Sequence, residues 1–302
     1  MRPLKRILSN PLSIIAILLR RIGKKIIPDK LYLSIIYFCE MKSKINWKNP
    51  QTFTEKIQWL KIYDRNPLYT TLVDKDAVKE FVAKKIGEEY IIPKIGVWDN
   101  FNQIDFKTLP KQFVLKTTFG GGGDVIIVRD KTQLNVNFLR NKFKKFFKDD
   151  IASLCKEWPY KNVPRKIIAE NLLEGHTSKD LIDYKWFCFN GEPYFCQVIR
   201  DRNSKETIDF FDKEWNHQDF IGLNPNCKNG KELIPKPKNL DQHLKIARKL
   251  SENIPFVRVD LYDVDDKIYF GELTFYPASG IGQFSPKKWN KILGDLLVLP
   301  KI

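Results

Sequence analysis

The spacing of hydrophobic and polar residues divides the chain into helical and extended segments. Helical patterns cover residues 29–65, 72–87, 131–151 and 239–253. Thr52, followed three positions later by Glu55, forms a capping box that marks the start of one helix. Apolar and β-branched runs predict strands within residues 90–100, 113–128, 165–175, 183–199, 256–264 and 267–276. Helices and hairpins in this order predict an α+β fold.

The composition is that of a folded protein with an anionic partner. Of the 302 residues, 43% are hydrophobic and 13% aromatic, which is enough to build a substantial core. Basic residues number 52 against 36 acidic ones, and the formal charge of +16 favours nucleic acid, an acidic membrane surface, nucleotide phosphates or an acidic substrate. Five cysteines without a CxxC pair, and only three histidines, argue against structural zinc and favour reduced thiols in a cytoplasmic protein.

The first 28 residues are basic and apolar. Their apolar stretch, Leu12 to Leu19, is too short to span a bilayer and runs into Arg20 and Arg21 without a small-residue cleavage site. We therefore expect neither a transmembrane helix nor a signal peptide. Two interpretations remain open: a segment that lies on an anionic membrane, and a helix packed on its own domain with a basic outer face.

Residues 113–128, FVLKTTFGGGGDVIIV, place four consecutive glycines between two apolar runs, with Lys116 near the end of the first. Consecutive glycines between strands indicate that a ligand approaches the backbone closely, and phosphate is the commonest such ligand. The alternative is a flexible hairpin tip with a solvated lysine beside it.

The last two strands predict a pair of facing carboxylates. A three-residue loop over residues 265–267 sets Asp260 opposite Glu272, on a face that also carries Arg258 and Phe270. Like charges at cross-strand positions repel each other, so we expect a cation between them. Arg258 could supply that charge, and so could Mg²⁺, which prefers oxygen ligands. The alternative is a solvated face on which two acids and an arginine neutralise one another.

Several motifs occur in a particular order: VDKDAVK with Lys75, FVLK with Lys116, the glycine loop, AENLLEG, DYKWF with Lys185, RVD and GELT. This order resembles the ATP-grasp fold of D-alanine-D-alanine ligases. The phrases NPQTFTEKIQWLKIYDRNP, DYKWFCFNG and YFGELTFYPASG more closely resemble the TupA-like ATP-grasp family, which is associated with cell-surface polysaccharide genes. The resemblance runs from about residue 45 to residue 285.

The resemblance implies a nucleotide held between a small mobile lid and a C-terminal antiparallel sheet, with a helical region at the N-terminus. The implied regions are a basic helical region (1–65), a small α/β subdomain (66–112), the lid (113–172) and a C-terminal subdomain with a metal site (173–302).

The resemblance also implies a role for each motif residue. ATP phosphates would be contacted by Lys75, Lys116, Gly120, Gly121, Gly122, Gly123 and Lys185. The adenine would be contacted by Glu170, Asn171 and Leu172. Mg²⁺ would be held by Asp260, Glu272 and Thr274, the last standing where many ATP-grasp ligases have an asparagine. Arg258 would stabilise the transferring phosphoryl group or the acyl phosphate, with Lys185 as a second catalytic cation. Gly280 would give the substrate room and an oxyanion contact.

The implied activity is ATP-dependent ligation of a carboxylate to an amine through an acyl phosphate. With the charge of +16, the polysaccharide association predicts an acidic sugar of a capsular or exopolysaccharide precursor as the carboxylate and an amino acid as the amine. The expected location is the cytoplasm, at the inner face of the membrane if residues 1–28 bind lipid.

Three alternatives remain at this point. A glycosyltransferase could use DVD at Asp263 to Asp265 as a metal motif, although aspartate also suits a hairpin loop. An ATP-grasp kinase would stop at a phosphate ester. A basic nucleic-acid or membrane-binding module is the third, but the chain contains no recognisable nucleic-acid-binding motif.

Overall fold

The structure, a computed structural model, describes residues 12–22, 26–120, 123–173, 181–200, 206–224 and 226–301. Its α-helices are α1 (Ser13–Ile22), α2 (Asp29–Met41), α3 (Phe53–Tyr63), α4 (Leu68–Val73), α5 (Ala77–Ile86), α6 (Val136–Phe146), α7 (Ile151–Leu154), α8 (Leu240–Ser251) and α9 (Lys288–Leu296). Its strands are β1 (Lys94–Trp98), β2 (Phe113–Thr117), β3 (Val125–Val128), β4 (Ile167–Glu170), β5 (Asp183–Phe189), β6 (Glu192–Arg200), β7 (Thr207–Asp212), β8 (His217–Gln218), β9 (Ile221–Leu223), β10 (Phe256–Val264), β11 (Lys267–Thr274) and β12 (Gln283–Ser285).

The strands form two large antiparallel sheets and a small one. The glycine hairpin belongs to a four-stranded sheet in the order β1-β4-β2-β3. The carboxylate hairpin forms one edge of a six-stranded sheet in the order β11-β10-β5-β6-β7-β8, and β9 pairs with β12. Because β1 pairs with β4, the boundary predicted at residue 112 runs through one sheet.

Each large sheet has its own hydrophobic core. Under the four-stranded sheet, Leu139 and Phe143 of α6 pack in one cluster with Phe113 and Leu115 of β2. The larger core covers the six-stranded sheet and includes side chains from α3, α8 and the aromatic strand β5. Burying apolar area on each sheet separately gives two units whose facing edges can border a cleft.

Local signals in the sequence place α3 as predicted. The Thr52 hydroxyl accepts a hydrogen bond from the Glu55 N–H at 3.4 Å, and the Glu55 carboxylate accepts one from the Thr52 N–H at 3.0 Å. The segment predicted as one helix over residues 72–87 is instead interrupted. The Asp74 carboxylate accepts the N–H groups of Asp76 and Ala77 and thereby caps the start of α5.

Helix α1 lies within the N-terminal segment for which membrane contact was predicted. Ala16 on α1 is buried in a small cluster with Tyr32 and Leu33 of α2, while Ile15 and Leu18 are exposed. Residues 1–11 and 23–25 of that segment lie outside the described residues. Among the ranges that are described, no helix has the length and apolar character needed to cross a bilayer.

The loop between β10 and β11 is one residue shorter than predicted. Val264 pairs with Lys267 across a two-residue turn, in which Asp265 and Asp266 have φ angles of 53° and 61°. Two consecutive residues with positive φ match the twist of a tight hairpin, and aspartate tolerates this conformation.

A bulge restores the predicted carboxylate pair. The register shifts at Gly271, so that Asp260 pairs with Glu272 while Leu261 pairs with Phe270. The short turn and the bulge displace the register in opposite directions and cancel. Phe270 therefore faces the core and is buried there, and its predicted place on the face of Glu272 was wrong.

Candidate active site

Three charged side chains lie in a row across the six-stranded sheet. Asp260 on β10 pairs with Lys185 on β5 and, on its other side, with Glu272 on β11. Side chains at directly paired positions of antiparallel strands project from the same face. The register thus brings together two predicted metal ligands and a predicted phosphate-binding lysine.

Asp260 is the centre of a buried charge cluster. Arg258 donates from Nε to Oδ1 at 2.7 Å and from Nη2 to Oδ2 at 2.6 Å, and Lys185 Nζ donates to Oδ2 at 2.5 Å. Burial raises the pKa of Asp260, but Arg258 and Lys185 together outweigh it and hold the pKa below its ordinary value. Asp260 is therefore a stable anion shared by two cations.

Glu272 is held more loosely than its partner. Its side chain is 41% exposed, and Oε1 lies 3.5 Å from Arg258 Nη2. The same Nη2 donates to the Thr274 hydroxyl at 3.0 Å. Arg258 thus contacts all three predicted metal ligands and is the cation that the sequence required between the two carboxylates.

The donor set fits a magnesium ion bound together with phosphate. Asp260, Glu272 and Thr274 offer carboxylate and hydroxyl oxygens, and Mg²⁺ needs only one or two carboxylates when water and phosphate fill its remaining positions. In the part of the chain that the structure describes, no group of three or more His, Cys, Asp or Glu side chains could hold a metal. Phosphate oxygens would therefore have to complete such a site.

Glu170 lies at the end of β4, buried between two lysines. Its Oε1 lies 2.7 Å from Lys79 Nζ and its Oε2 lies 2.5 Å from Lys116 Nζ. Burial raises the pKa of Glu170, but Lys116 and Lys79 outweigh it and lower the pKa. The predicted adenine contact thus includes a lysine that sequence reasoning missed. The available signal was the spacing of Lys79, four residues after Lys75 in VDKDAVK.

The glycine loop is closed by Lys75 and Asp124. Lys75 Nζ donates to the Gly120 carbonyl and lies 3.8 Å from Asp124 Oδ2, which also accepts the Thr117 hydroxyl. A side chain at Gly120 would collide with the Asp124 carboxylate. The predicted phosphate contacts of Gly121 and Gly122 lie outside the described residues.

At the predicted adenine hinge, the Asn171 N–H donates to the Pro93 carbonyl at 3.0 Å and so continues the pairing of β4 with the segment before β1. Leu172 is half-buried beside it. The ring-edge contacts predicted for these two residues stay predictions.

A cleft of about 350 Å³ joins the glycine hairpin to the carboxylate hairpin. Its lining combines groups from both sheets and from the chain between them, including Thr117, Gly120, Asp124, Glu157, Tyr160, Arg258, Glu272, Thr274, Tyr276 and Ser279. Of the residues predicted to meet phosphate and metal, Gly120, Arg258, Glu272 and Thr274 border this cleft. The predicted Lys75, Lys116, Lys185 and Asp260 lie outside its lining.

Gly280 lies against α3, and its predicted contact with substrate stays a prediction. It has a φ of 64°, and a Cβ there would meet Gln58 Nε2 at 2.5 Å and Ile57 Cγ2 at 2.6 Å. Its missing side chain therefore allows the close approach of α3. The preceding Ala278 and Ser279, which also have positive φ, line the cleft instead.

The family model described as TupA-like ATP-grasp matches residues 55–298, which is most of the chain. The chain belongs to the TupA-like ATP-grasp family. The resemblance drawn from the motifs and the α+β ATP-grasp fold are confirmed by this match.

Solved structures similar to this TupA-like protein are remote in sequence. D-alanine-D-alanine ligase from Bacillus anthracis, complexed with ATP, is 16% identical over 75% of this chain and 63% of its own, with a TM-score of 0.42. The ligase from Helicobacter pylori is 13% identical over 82% of this chain and 69% of its own, with a TM-score of 0.40. The chain thus spans a little under two thirds of the first of these structures. No curated protein matches it.

Proposed function

We propose that this TupA-like protein is an ATP-dependent ligase that activates a carboxylate as an acyl phosphate and joins it to an amine. The observation that carries the proposal is the single cleft bordered by the glycine hairpin and by the face with Arg258, Glu272 and Thr274. A triphosphate beneath the hairpin would present its terminal phosphate to that face.

The lysines supply the charge that a triphosphate requires. Lys75 is held at the glycine loop, and Lys116 is held by Glu170 on the two central strands of the four-stranded sheet. Lys185 and Arg258 approach from the other sheet. Phosphoryl transfer depends mainly on positioning and on charge stabilisation of this kind, and little on covalent chemistry by the protein.

Asp260 orients the two cations of the second sheet. By accepting from both Arg258 and Lys185, it fixes their positions before substrate binds. When bound, Mg²⁺ would supply further neutralisation of phosphate charge, with Asp260, Glu272 and Thr274 as its protein ligands. The glycine hairpin would exclude water from the acyl phosphate.

The substrates are part of the proposal. The charge of +16 supports an acidic carboxylate substrate, and we propose an acidic sugar of a cell-surface polysaccharide precursor with an amino acid or similar amine. A location at the inner face of the membrane is supported by the basic N-terminal segment and by the exposed Ile15 and Leu18 of α1. The glycosyltransferase alternative loses support, because Asp263 accepts the Asn239 amide and Asp265 lies in the turn, away from the cleft lining.

The test is hydroxylamine trapping of the acyl phosphate. The protein, Mg·ATP and a panel of uronic acids are incubated with hydroxylamine, and ADP and hydroxamate are measured together. We expect a carboxylate to stimulate both products. Lys116→Ala and Glu272→Gln should each slow them by about 10²–10³-fold, the range seen when one stabilising contact is removed. Lys84→Ala, which removes an exposed lysine of α5, is the matched control.

The products distinguish the remaining alternatives. ADP together with a phosphate ester would identify a kinase. No nucleotide turnover with any carboxylate, or full activity in Glu272→Gln, would overturn the proposal.

A further inference from the structure

The cleft also carries polar groups to which neither the nucleotide nor the metal is assigned. Glu157, in the chain between the two sheets, is buried and lines the cleft. Tyr276, which follows β11, also lines it and is 5% exposed. Its buried hydroxyl has no hydrogen-bond partner among the described residues. A buried hydroxyl without a partner is costly unless a ligand satisfies it.

A buried lysine compensates the charge of Glu157 without hydrogen-bonding to it. Lys61 of α3 donates to the Cys155 carbonyl at 2.9 Å, and to the Ser279 carbonyl and hydroxyl at 2.8 Å each. These contacts use all three donors of an ammonium group. Lys61 Nζ lies 4.0 Å from Glu157 Oε1, which is beyond hydrogen-bond distance. Glu157 therefore keeps capacity to accept a proton donor from the cleft.

Helix α3 holds the loop that carries Ser279 and Gly280. Besides Lys61, Gln58 donates from Nε2 to the carbonyls of Ser279 and Gly280 at 2.9 Å each. Both side chains belong to the phrase TFTEKIQWLKIY, whose role the nucleotide and metal sites leave unexplained. Lys61 and Gln58 are thus positioning residues, because they act through the loop they hold.

Two sets of lining groups differ in chemistry. Arg258 is cationic and suits phosphate or carboxylate. Glu157, Tyr276 and Ser279 present a carboxylate and hydroxyl groups, which suit a group that donates hydrogen bonds and carries positive charge. Burial raises the pKa of Glu157 more than Lys61 and the Ser279 hydroxyl lower it, so a proton is held there more readily than on an exposed glutamate.

We infer that Glu157 and Tyr276 form the amine subsite, in which Glu157 binds the amino group of the second substrate and accepts its proton. The inference rests on the proposed ligase function. The substrate ammonium gives one proton to Glu157, and the freed lone pair attacks the carbonyl carbon of the acyl phosphate. The C–N bond forms as the C–O bond to phosphate breaks. Phosphate leaves with that electron pair and takes the second amine proton.

The test is a thermal-shift comparison of free and blocked amines. The protein is first saturated with Mg·AMP-PNP, and the twenty common amino acids, ethanolamine and putrescine are then added, each beside its N-acetyl form. We expect at least one free amine to raise the melting temperature further, and its acetylated form not to do so. Glu157→Gln should weaken the binding of that amine about 10- to 150-fold, which is the range for losing a hydrogen bond to a charged group.

Two further variants separate binding from folding. Tyr276→Phe removes only the hydroxyl that has no hydrogen-bond partner among the described residues. It should keep the stability of the protein and weaken the binding of the amine. Asp149→Asn removes an equal charge from an exposed position in the cleft lining and should bind the amine normally. The inference is overturned if no amine gives a shift, or if the shift persists in Glu157→Gln. Failure of AMP-PNP itself to shift the wild type would instead count against the proposed function.

Discussion

Asp260→Asn tests the charge balance at the centre of the six-stranded sheet. Asp260 is 3% exposed and accepts hydrogen bonds from both Arg258 and Lys185. Asparagine keeps the shape but leaves two buried cations without their shared anion. Removing one partner of a buried ion pair costs about 3–5 kcal/mol, and we expect a loss of this size in the free energy of unfolding.

The same loss can be stated as a change in melting temperature. With an unfolding entropy of about 2.1 cal/mol/K per residue, a chain of 302 residues has ~0.6 kcal/mol/K, so the melting temperature should fall by roughly 5–8 °C.

The loss should also depend on pH in one direction. Burial raises the pKa of Asp260, but Arg258 and Lys185 outweigh it and hold the folded value below that of the unfolded chain, about 3.9. The unfolded chain then binds more protons than the folded one. The stabilisation that the Asp260 carboxylate gives the folded protein is therefore complete above the unfolded pKa and disappears as pH falls through the folded pKa. The difference between wild type and Asp260→Asn should therefore be constant near neutral pH and shrink below about pH 4.

Urea unfolding, followed by tryptophan fluorescence and circular dichroism in parallel, measures the effect. Glu272→Gln is the matched control, since Glu272 is the cross-strand partner of Asp260 but is 41% exposed and lies 3.5 Å from Arg258. Its loss should stay below about 1 kcal/mol. Equal losses in the two variants, or a loss below about 1 kcal/mol in Asp260→Asn, would refute the charge balance.

Two further predictions concern backbone and lysine positions. Gly280→Ala should destabilise the protein by about 1–3 kcal/mol more than Gly123→Ala, because both glycines have positive φ but only Gly280 is crowded by α3. Thermal unfolding of the two variants measures this difference. Equal losses of stability would contradict it. Lys79→Met should cost about 1.5–3 kcal/mol through the lost charged contact with Glu170. The exposed Lys84→Met should be near neutral in the same urea titration, and a similar loss there would argue against the assignment.

Much of the fold follows from local signals in the sequence. The capping box at Thr52 and the helices α6 and α8 are set by residues close in sequence, and each lies within the segment predicted for it. Asp260 and Glu272 were correctly predicted to pair, although the predicted loop between their strands was one residue too long. The bulge at Gly271 supplied the missing offset. An isolated glycine within a strand is a local signal for such a bulge, and the sequence prediction did not use it.

The site was less predictable where it depends on contacts between distant segments. Lys61 is a fully buried lysine whose partners lie 94 and 218 positions away along the chain. Its spacing from Phe53 and Ile57 places it on the apolar face of α3, but nothing close in sequence shows what a lysine there would contact. Lys79 lies on α5, whose Val78 and Val82 pack in the larger core, yet it reaches Glu170 of the four-stranded sheet. No local pattern contains this contact. Gly280 also depends on a distant segment, because the space of its missing side chain is taken by Ile57 and Gln58 of α3.

Isothermal titration with AMP-PNP, with and without Mg²⁺, on wild type and Glu272→Gln tests the central claim most directly. The claim is that a triphosphate and a divalent ion bind together between the glycine hairpin and the face that carries Asp260 and Glu272. Wild type should bind the nucleotide far more tightly with Mg²⁺, and Glu272→Gln should lose most of that gain while keeping its folded stability. No binding of the nucleotide, or an equal gain from Mg²⁺ in both proteins, would contradict the account.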